Sequence, residues 1–168
     1  MTDQQHAIQT YIATHPAARA SDIATALGCA EAEALSALSE TVWEIPDTDL
    51  PQVLSEIRAW PRAMVLVRNA DAVAEVEVAG EGGRVSGEWL NWIEEGFNLH
   101  VHIASTHYVL ALVRRGKRGM TYSFNMVNQA GQVFCRFYTR TPAARRRFLN
   151  FCRAYTPRKL EKQVLWVG

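Results

Sequence analysis

The chain has 168 residues, of which 48% are hydrophobic and 21% are charged, and its formal net charge is +1. This balance excludes a disordered or collagen-like chain and is sufficient for one globular domain, with or without a small appendage. No apolar run approaches the roughly 18–20 residues that cross a bilayer, and the N-terminus, MTDQQHAIQTYI, has no basic or apolar signal region. We therefore expect a cytoplasmic protein that does not insert into a membrane.

The charge is unevenly distributed along the chain. Residues 1–100 hold five basic and 16 acidic side chains, a net charge of −11, whereas residues 101–168 hold 13 basic and one acidic side chain, a net charge of +12. Such polarity either marks a docking surface for an anion or an acidic partner, or is neutralised within one fold or across a dimer. The sequence leaves both interpretations open.

Three short helices are predicted at the N-terminus. Residues 4–15 have apolar side chains at helical spacing, a second helix ends at Gly28, and a third spans 30–40. This order is typical of a helix-turn-helix unit. The third helix carries three glutamates and no Lys or Arg. Because these glutamates repel a phosphate backbone, we expect no nucleic-acid binding.

A change of periodicity separates this helical unit from the rest of the chain. Segment 41–51, rich in Pro and Asp, is interpreted as a linker, and a helix is predicted over 50–59. Strands are predicted at 63–69, 72–80, 84–93, 120–128 and 132–140, and residues 100–105 and 106–115 are predicted to form one or two strands.

The turns between these strands are too short for crossover helices. We therefore expect residues 62–140 to form one antiparallel sheet of six or more strands, followed by a helix over 142–155. The predicted fold class is α+β, with a small helical unit at 1–45 and a sheet body with flanking helices at 46–168.

Two histidines give the densest cluster of imidazoles. His100 and His102 lie two apart in a predicted strand, so both side chains face the same side of the sheet. From the sequence alone, haem iron, zinc and copper are equally plausible partners of these imidazoles, and two ordinary surface or core histidines are the alternative. A structural zinc site needs about four ligands and no Cys lies nearby. A haem needs only one or two axial ligands and an apolar slot, which the neighbouring aromatic residues provide, and the basic run after 113 offers partners for the propionates.

Motifs for other chemistry are missing from the sequence. It contains no G-x-S-x-G, H-E-x-x-H or Walker-type loop, and we expect no enzyme. Cys29, Cys135 and Cys152 are widely spaced and form no C-x-x-C pair, so they are interpreted as reduced thiols.

From about Ser21 to the helix at 142–154, the chain resembles the ChuX/HutX family of cytosolic haem-utilisation carriers. Four segments carry the resemblance: IATALGCAEAEALSAL, VLSEIRAWPRAMVLVRN, HVHIASTHYVLALVRR and the hairpin VNQAGQVFCRFYTR. The resemblance implies a dimeric antiparallel sheet with helices, related to half of the larger haem-trafficking proteins. It also implies that the protein binds haem in the cytosol and passes it on.

The resemblance implies specific site residues. His100 falls on the family's haem-ligating His and Arg114 on an Arg that follows the next strand, with His102 beside them as a further cofactor-binding residue. Four positions depart from the family pattern. His102 and Ala104 stand where the family has Arg and Asp, Gly87 stands where it has a second His, and Arg115 stands where it has a Pro.

The sequence therefore predicts a haem-binding carrier, not an enzyme, that ligates haem iron through His100. The partners expected are a second copy of the chain in a homodimer and a haem-degrading enzyme or haem importer. The alternative is a helix-turn-helix regulator with a ligand-sensing β domain.

Overall fold

A computed structural model describes residues 2–69 and 71–158 of the chain. The helices are α1 (Asp3–Thr14), α2 (Ala20–Leu27), α3 (Glu31–Ala37), α4 (Leu50–Arg58) and α5 (Pro142–Cys152). The strands are β1 (Thr41–Pro46), β2 (Ala63–Arg68), β3 (Val73–Val78), β4 (Arg84–Ser86), β5 (Trp89–Glu94), β6 (Phe97–His102), β7 (Tyr108–Gly116), β8 (Gly119–Val127) and β9 (Val133–Thr139). The predicted α+β class is confirmed.

The strands form two antiparallel sheets. The large sheet has six strands in the order β1-β7-β8-β9-β2-β3, and the small sheet has three in the order β4-β5-β6. The large sheet confirms the predicted sheet of six or more strands. The expectation of one continuous sheet over 62–140 is wrong, because residues 84–102 pair only with one another and fold over the large sheet.

A tight turn before the small sheet redirects the chain. The backbone N–H of Gly80 donates to the carbonyl of Trp60 over 3.2 Å. A Cβ at Gly80 would lie 2.3 Å from that same carbonyl oxygen, so only glycine permits this approach. The chain therefore leaves the edge strand β3 and enters β4 in a second layer.

The segment predicted as a linker is a strand. β1 pairs with β7 over its whole length, from Thr41 opposite Val113 to Pro46 opposite Tyr108. Val42 and Ile45 are fully buried. Pro46 and the following aspartates mark the end of this strand and a short 3-10 turn. The predicted boundary between domains at residue 45 falls inside β1, and the two-domain division stays a prediction.

Two hydrophobic cores lie on opposite faces of the large sheet. One face is covered by α4, α5 and the small sheet, and there the ring of Phe124 contacts those of Trp60 and Phe148. The other face is covered over part of its area by α1–α3, which we call the helical unit. The core between the helical unit and this face of the sheet consists of Ile8, Ala20, Ile23, Ala32, Ala34, Leu35, Val42, Leu110, Leu112, Val127 and Val133.

Ion pairs connect the acidic and basic parts of the chain. Four pairs join residues before 101 to residues after it: Glu31–Arg136, Glu77–Arg140, Glu56–Arg147 and Glu44–Arg158. These contacts support neutralisation within one fold as the interpretation of the charge asymmetry.

One of these pairs, Glu56–Arg147, connects α4 to α5. Glu56 is 9% exposed and accepts from Nε and Nη2 of Arg147 over 3.1 and 2.9 Å. It also accepts from the indole N–H of Trp60 over 2.9 Å. Because one buried carboxylate serves three donors, its loss leaves several polar groups unpaired.

We expect Glu56→Gln to lower the free energy of unfolding by about 1–3 kcal/mol, because the amide cannot replace both charge-assisted bonds to Arg147. Urea unfolding followed by tryptophan fluorescence measures this change. The control is Glu77→Gln, whose carboxylate pairs with Arg62 and Arg140 at the surface, and which should change stability by less than about 0.5 kcal/mol. Equal effects of the two substitutions would contradict the structural role of Glu56.

Candidate functional site

The small sheet has an inner and an outer face. Leu90 and Trp92 of β5 and Val101 of β6 are buried, and Trp92 lies 5.8 Å from Phe137 of the large sheet, measured between ring centroids. Because side chains alternate along a strand, the residues between them point outward. The outer face therefore carries Arg84, Ser86, Trp89, Asn91, Ile93, Asn98, His100 and His102.

The strand register places these residues in rows. Asn91 stands opposite both Arg84 of β4 and His100 of β6. In the next row Trp89 stands opposite Ser86 and His102. The two histidines are thus on one face, as their spacing predicts, and each has a partner in β5 that the sequence alone did not identify.

Asn91 fixes the ring orientation and the tautomer of His100. The amide nitrogen of Asn91 faces the carbonyls of Arg84 and Trp89, at 3.5 and 3.4 Å. Its Oδ1 therefore faces Nδ1 of His100, at 2.6 Å, and accepts the proton of that nitrogen. In the neutral imidazole this leaves a lone pair on Nε2, which has no hydrogen-bond partner among the described residues.

His102 has both ring nitrogens engaged. Nδ1 lies 2.8 Å from Oγ of Ser105 and Nε2 lies 3.4 Å from a carboxylate oxygen of Glu88. The ring also lies 4.7 Å from that of Trp89. Of the two histidines, His100 is therefore the one that offers a free nitrogen to a ligand.

The outer face exposes apolar side chains beside the histidines. Two large hydrophobic residues of this face are exposed, Trp89 (44% exposed) and Ile93 (71% exposed). Ser86, Trp89, Asn91 and His100 line an open pocket of about 490 Å³. A volume of this size lies within the usual range for small-molecule sites, roughly 300–1,000 Å³.

Arg114 does not lie near the two histidines of the small sheet. It is two residues beyond Leu112 in β7 and shares the face of the large sheet on which the helical unit packs. The small sheet packs on the opposite face. Burial lowers the pKa of the Arg114 guanidinium, and its ionisable neighbours are Tyr138 and Arg136 of β9. The structure does not bring Arg114 to the two histidines within one chain.

Other metal or thiol chemistry gains no support from the part of the chain that the structure describes. No group of three or more His, Cys, Asp or Glu side chains there is arranged to hold a metal ion. Cys135 and Cys152 are buried, and burial raises the pKa of each thiol to about 12. Over residues 2–69 and 71–158, none of the helices has the length and apolar character needed to cross a bilayer.

Comparison with solved structures shows which fold this is. A crystal structure of ChuX superposes with a TM-score of 0.72 and 15% identity, covering 88% of this chain and 96% of that one. Holo-PhuS, a heme-binding protein from Pseudomonas aeruginosa, gives a TM-score of 0.76 and 21% identity over 95% of this chain. The heme-degrading enzyme ChuS of Escherichia coli O157:H7 gives 0.74 and 18% over 89% of this chain.

The chain corresponds to about half of the two larger proteins, since it covers 46% of the PhuS chain and 46% of the ChuS chain. At these identities the likeness shows a shared fold. No curated protein sequence matches the chain. The sequence profile of the haem-utilisation ChuX/HutX family matches residues 43–151, from β1 into α5. This match covers more than half of the sequence, and the chain therefore belongs to the ChuX/HutX family.

Proposed function

We propose that this protein binds one haem on the outer face of the small sheet, with Nε2 of His100 as the iron ligand, and carries it through the cytoplasm to another protein. The observation that carries the proposal is the hydrogen bond of 2.6 Å between Asn91 and His100. A histidine that ligates a metal characteristically donates its other N–H to a neighbouring acceptor, which sets the tautomer and the ring orientation.

The residues around His100 fit a haem. Trp89 and Ile93 precede and follow Asn91 at alternate positions of β5, on the same outer face. An apolar ring bound at Nε2 would cover these two exposed side chains. The haem itself would supply the iron and the porphyrin, and the chain supplies the imidazole, its hydrogen-bonded support and the apolar surface.

His102 and Arg114, the other two predicted cofactor-binding residues, differ in their distance from this site. His102 remains a cofactor-binding residue beside the ligand, since its ring contacts Trp89 and its nitrogens are held by Ser105 and Glu88. Arg114, predicted from the family resemblance as a propionate contact, would need a haem bound at the other face of the large sheet or supplied by a second chain. The homodimer and the transfer partner, a haem-degrading enzyme or a haem importer, stay proposals.

The burial of α3 favours haem binding over the alternative of a DNA-binding regulator. Ala32, Ala34, Leu35 and Ser36 of α3 are buried. Glu31, at its first turn, accepts from Arg136 of β9 over 2.6 Å. A recognition helix must present its side chains to a groove of DNA, and this one packs on a sheet.

We expect hemin titration to produce a Soret band with the native protein. His100→Ala should shift that band and weaken binding on the order of 100-fold or more, because it removes the sole protein ligand. His102→Ala should keep the spectrum and change the affinity by less than about threefold, because a contact beside the ring is worth little at an exposed position. The opposite pattern would assign the iron to His102.

The support from Asn91 is tested separately. Asn91→Ala removes the acceptor of the His100 N–H, and we expect hemin affinity to fall roughly 10-fold or more, as for other hydrogen-bond partners of metal ligands. Asn98→Ala is the matched control, since Asn98 lies on the same face of β6 opposite Ile93. Equal affinities of the two variants would show that His100 needs no such support.

A haem-degrading activity is the second candidate, favoured by the shared fold with ChuS. The haem-loaded protein should keep its Soret band under oxygen and a reductant, and should pass the haem to apomyoglobin. Loss of the band in the absence of the acceptor, with release of iron, would identify an enzyme instead of a carrier.

A further inference from the structure

Arg84 occupies a distinctive position in the candidate site. It stands directly opposite Asn91, which stands directly opposite His100, so the three residues form one row across the small sheet and face the same side. Since neighbouring strands are about 4.8 Å apart, the backbones of Arg84 and His100 are about 10 Å apart. Arg84 is therefore a cation that lies two strands away from the candidate ligand His100.

Arg84 is the one Lys or Arg among residues 84–102, which form the small sheet, and this segment also contains Glu88, Glu94 and Glu95. Glu88 lies 3.4 Å from His102. Within the small sheet, Arg84 is therefore the one side chain whose fixed charge attracts a carboxylate ligand.

The Arg84 guanidinium is held by backbone carbonyl groups. Nη1 donates to the carbonyls of Glu81 and Gly83, the latter over 3.1 Å. Over residues 2–69 and 71–158, no carboxylate lies within salt-bridge distance of it, and its Nε and Nη2 donate to no protein acceptor. The carbonyls of Glu81 and Gly83 thus hold one side of the Arg84 guanidinium, and its Nε and Nη2 groups are available to donate to a ligand.

We infer that Arg84 pairs with a propionate carboxylate of the haem bound at His100 and thereby fixes the orientation of the ring on the small sheet. This inference rests on the proposed function. Arg84 takes the role that the family resemblance implies for Arg114, because Arg114 lies on the far side of the large sheet. Arginine suits this role, because its planar donors match the geometry of a carboxylate.

The test compares hemin with hemin dimethyl ester, whose propionates carry no charge. Wild-type protein, Arg84→Gln, Arg84→Lys and Arg114→Gln are each titrated with both porphyrins by Soret absorbance. We expect the wild type to prefer hemin roughly three- to tenfold, the gain of a charged contact at a partly exposed position. Arg84→Gln should lose that preference by weakening hemin alone, and Arg84→Lys should keep part of it.

Arg114→Gln is the matched control and should keep the wild-type preference. The inference is overturned if Arg84→Gln retains the preference, or if Arg114→Gln abolishes it. Circular dichroism of each variant separates these results from loss of folding, and unchanged binding of the ester shows that the His100 site is intact. If the wild type binds neither porphyrin, the proposed function itself fails. If the wild type binds both equally well, the proposed function stands and the inference about Arg84 is overturned.

Discussion

The contact between the inner face of the small sheet and the large sheet determines what the protein presents to a ligand. Trp92 is completely buried against Phe137. Since strand side chains alternate, this burial forces Asn91 and Ile93 outward and, through the register, turns His100 outward as well. A shift of one residue in the pairing would bury the histidine and expose the tryptophan. The core and the candidate site are thus two consequences of one register.

The sequence predicted those parts of the fold that follow from local patterns. Period-2 segments, short turns and the helix after Thr141 are local signals, and the structure confirms that helix and most of the predicted strands. It divides the strand predicted over 84–93 into β4 and β5, and residues 103–105 form a 3-10 turn instead of a strand. The spacing of His100 and His102 was likewise enough to place both on one face. The resemblance to the ChuX/HutX family, carried by four short segments, is confirmed by the family match over residues 43–151.

Features that depend on contacts between distant residues were not predictable in this way. β1 was interpreted as a linker because the signals at Pro46 and Asp47 mark the end of a strand without indicating the strand itself. The division into two sheets depends on the close approach of Gly80 to the carbonyl of Trp60, and a single sequence does not show that contact. The roles of Asn91 and Arg84 depend on cross-strand register, which is settled only when the hairpins form.

The small sheet is a meander in which each strand pairs with its neighbour in sequence, so all of its pairing is contained within residues 84–102. Of the positions that depart from the family pattern, Gly87 lies in its first turn, His102 ends its last strand, and Ala104 follows in the next 3-10 turn. Outward side chains here contact neither hydrophobic core. Substitutions on this face should therefore change ligand binding more than folding stability. The ligand-binding chemistry of the small sheet can be altered while the two-layered scaffold beneath it stays the same.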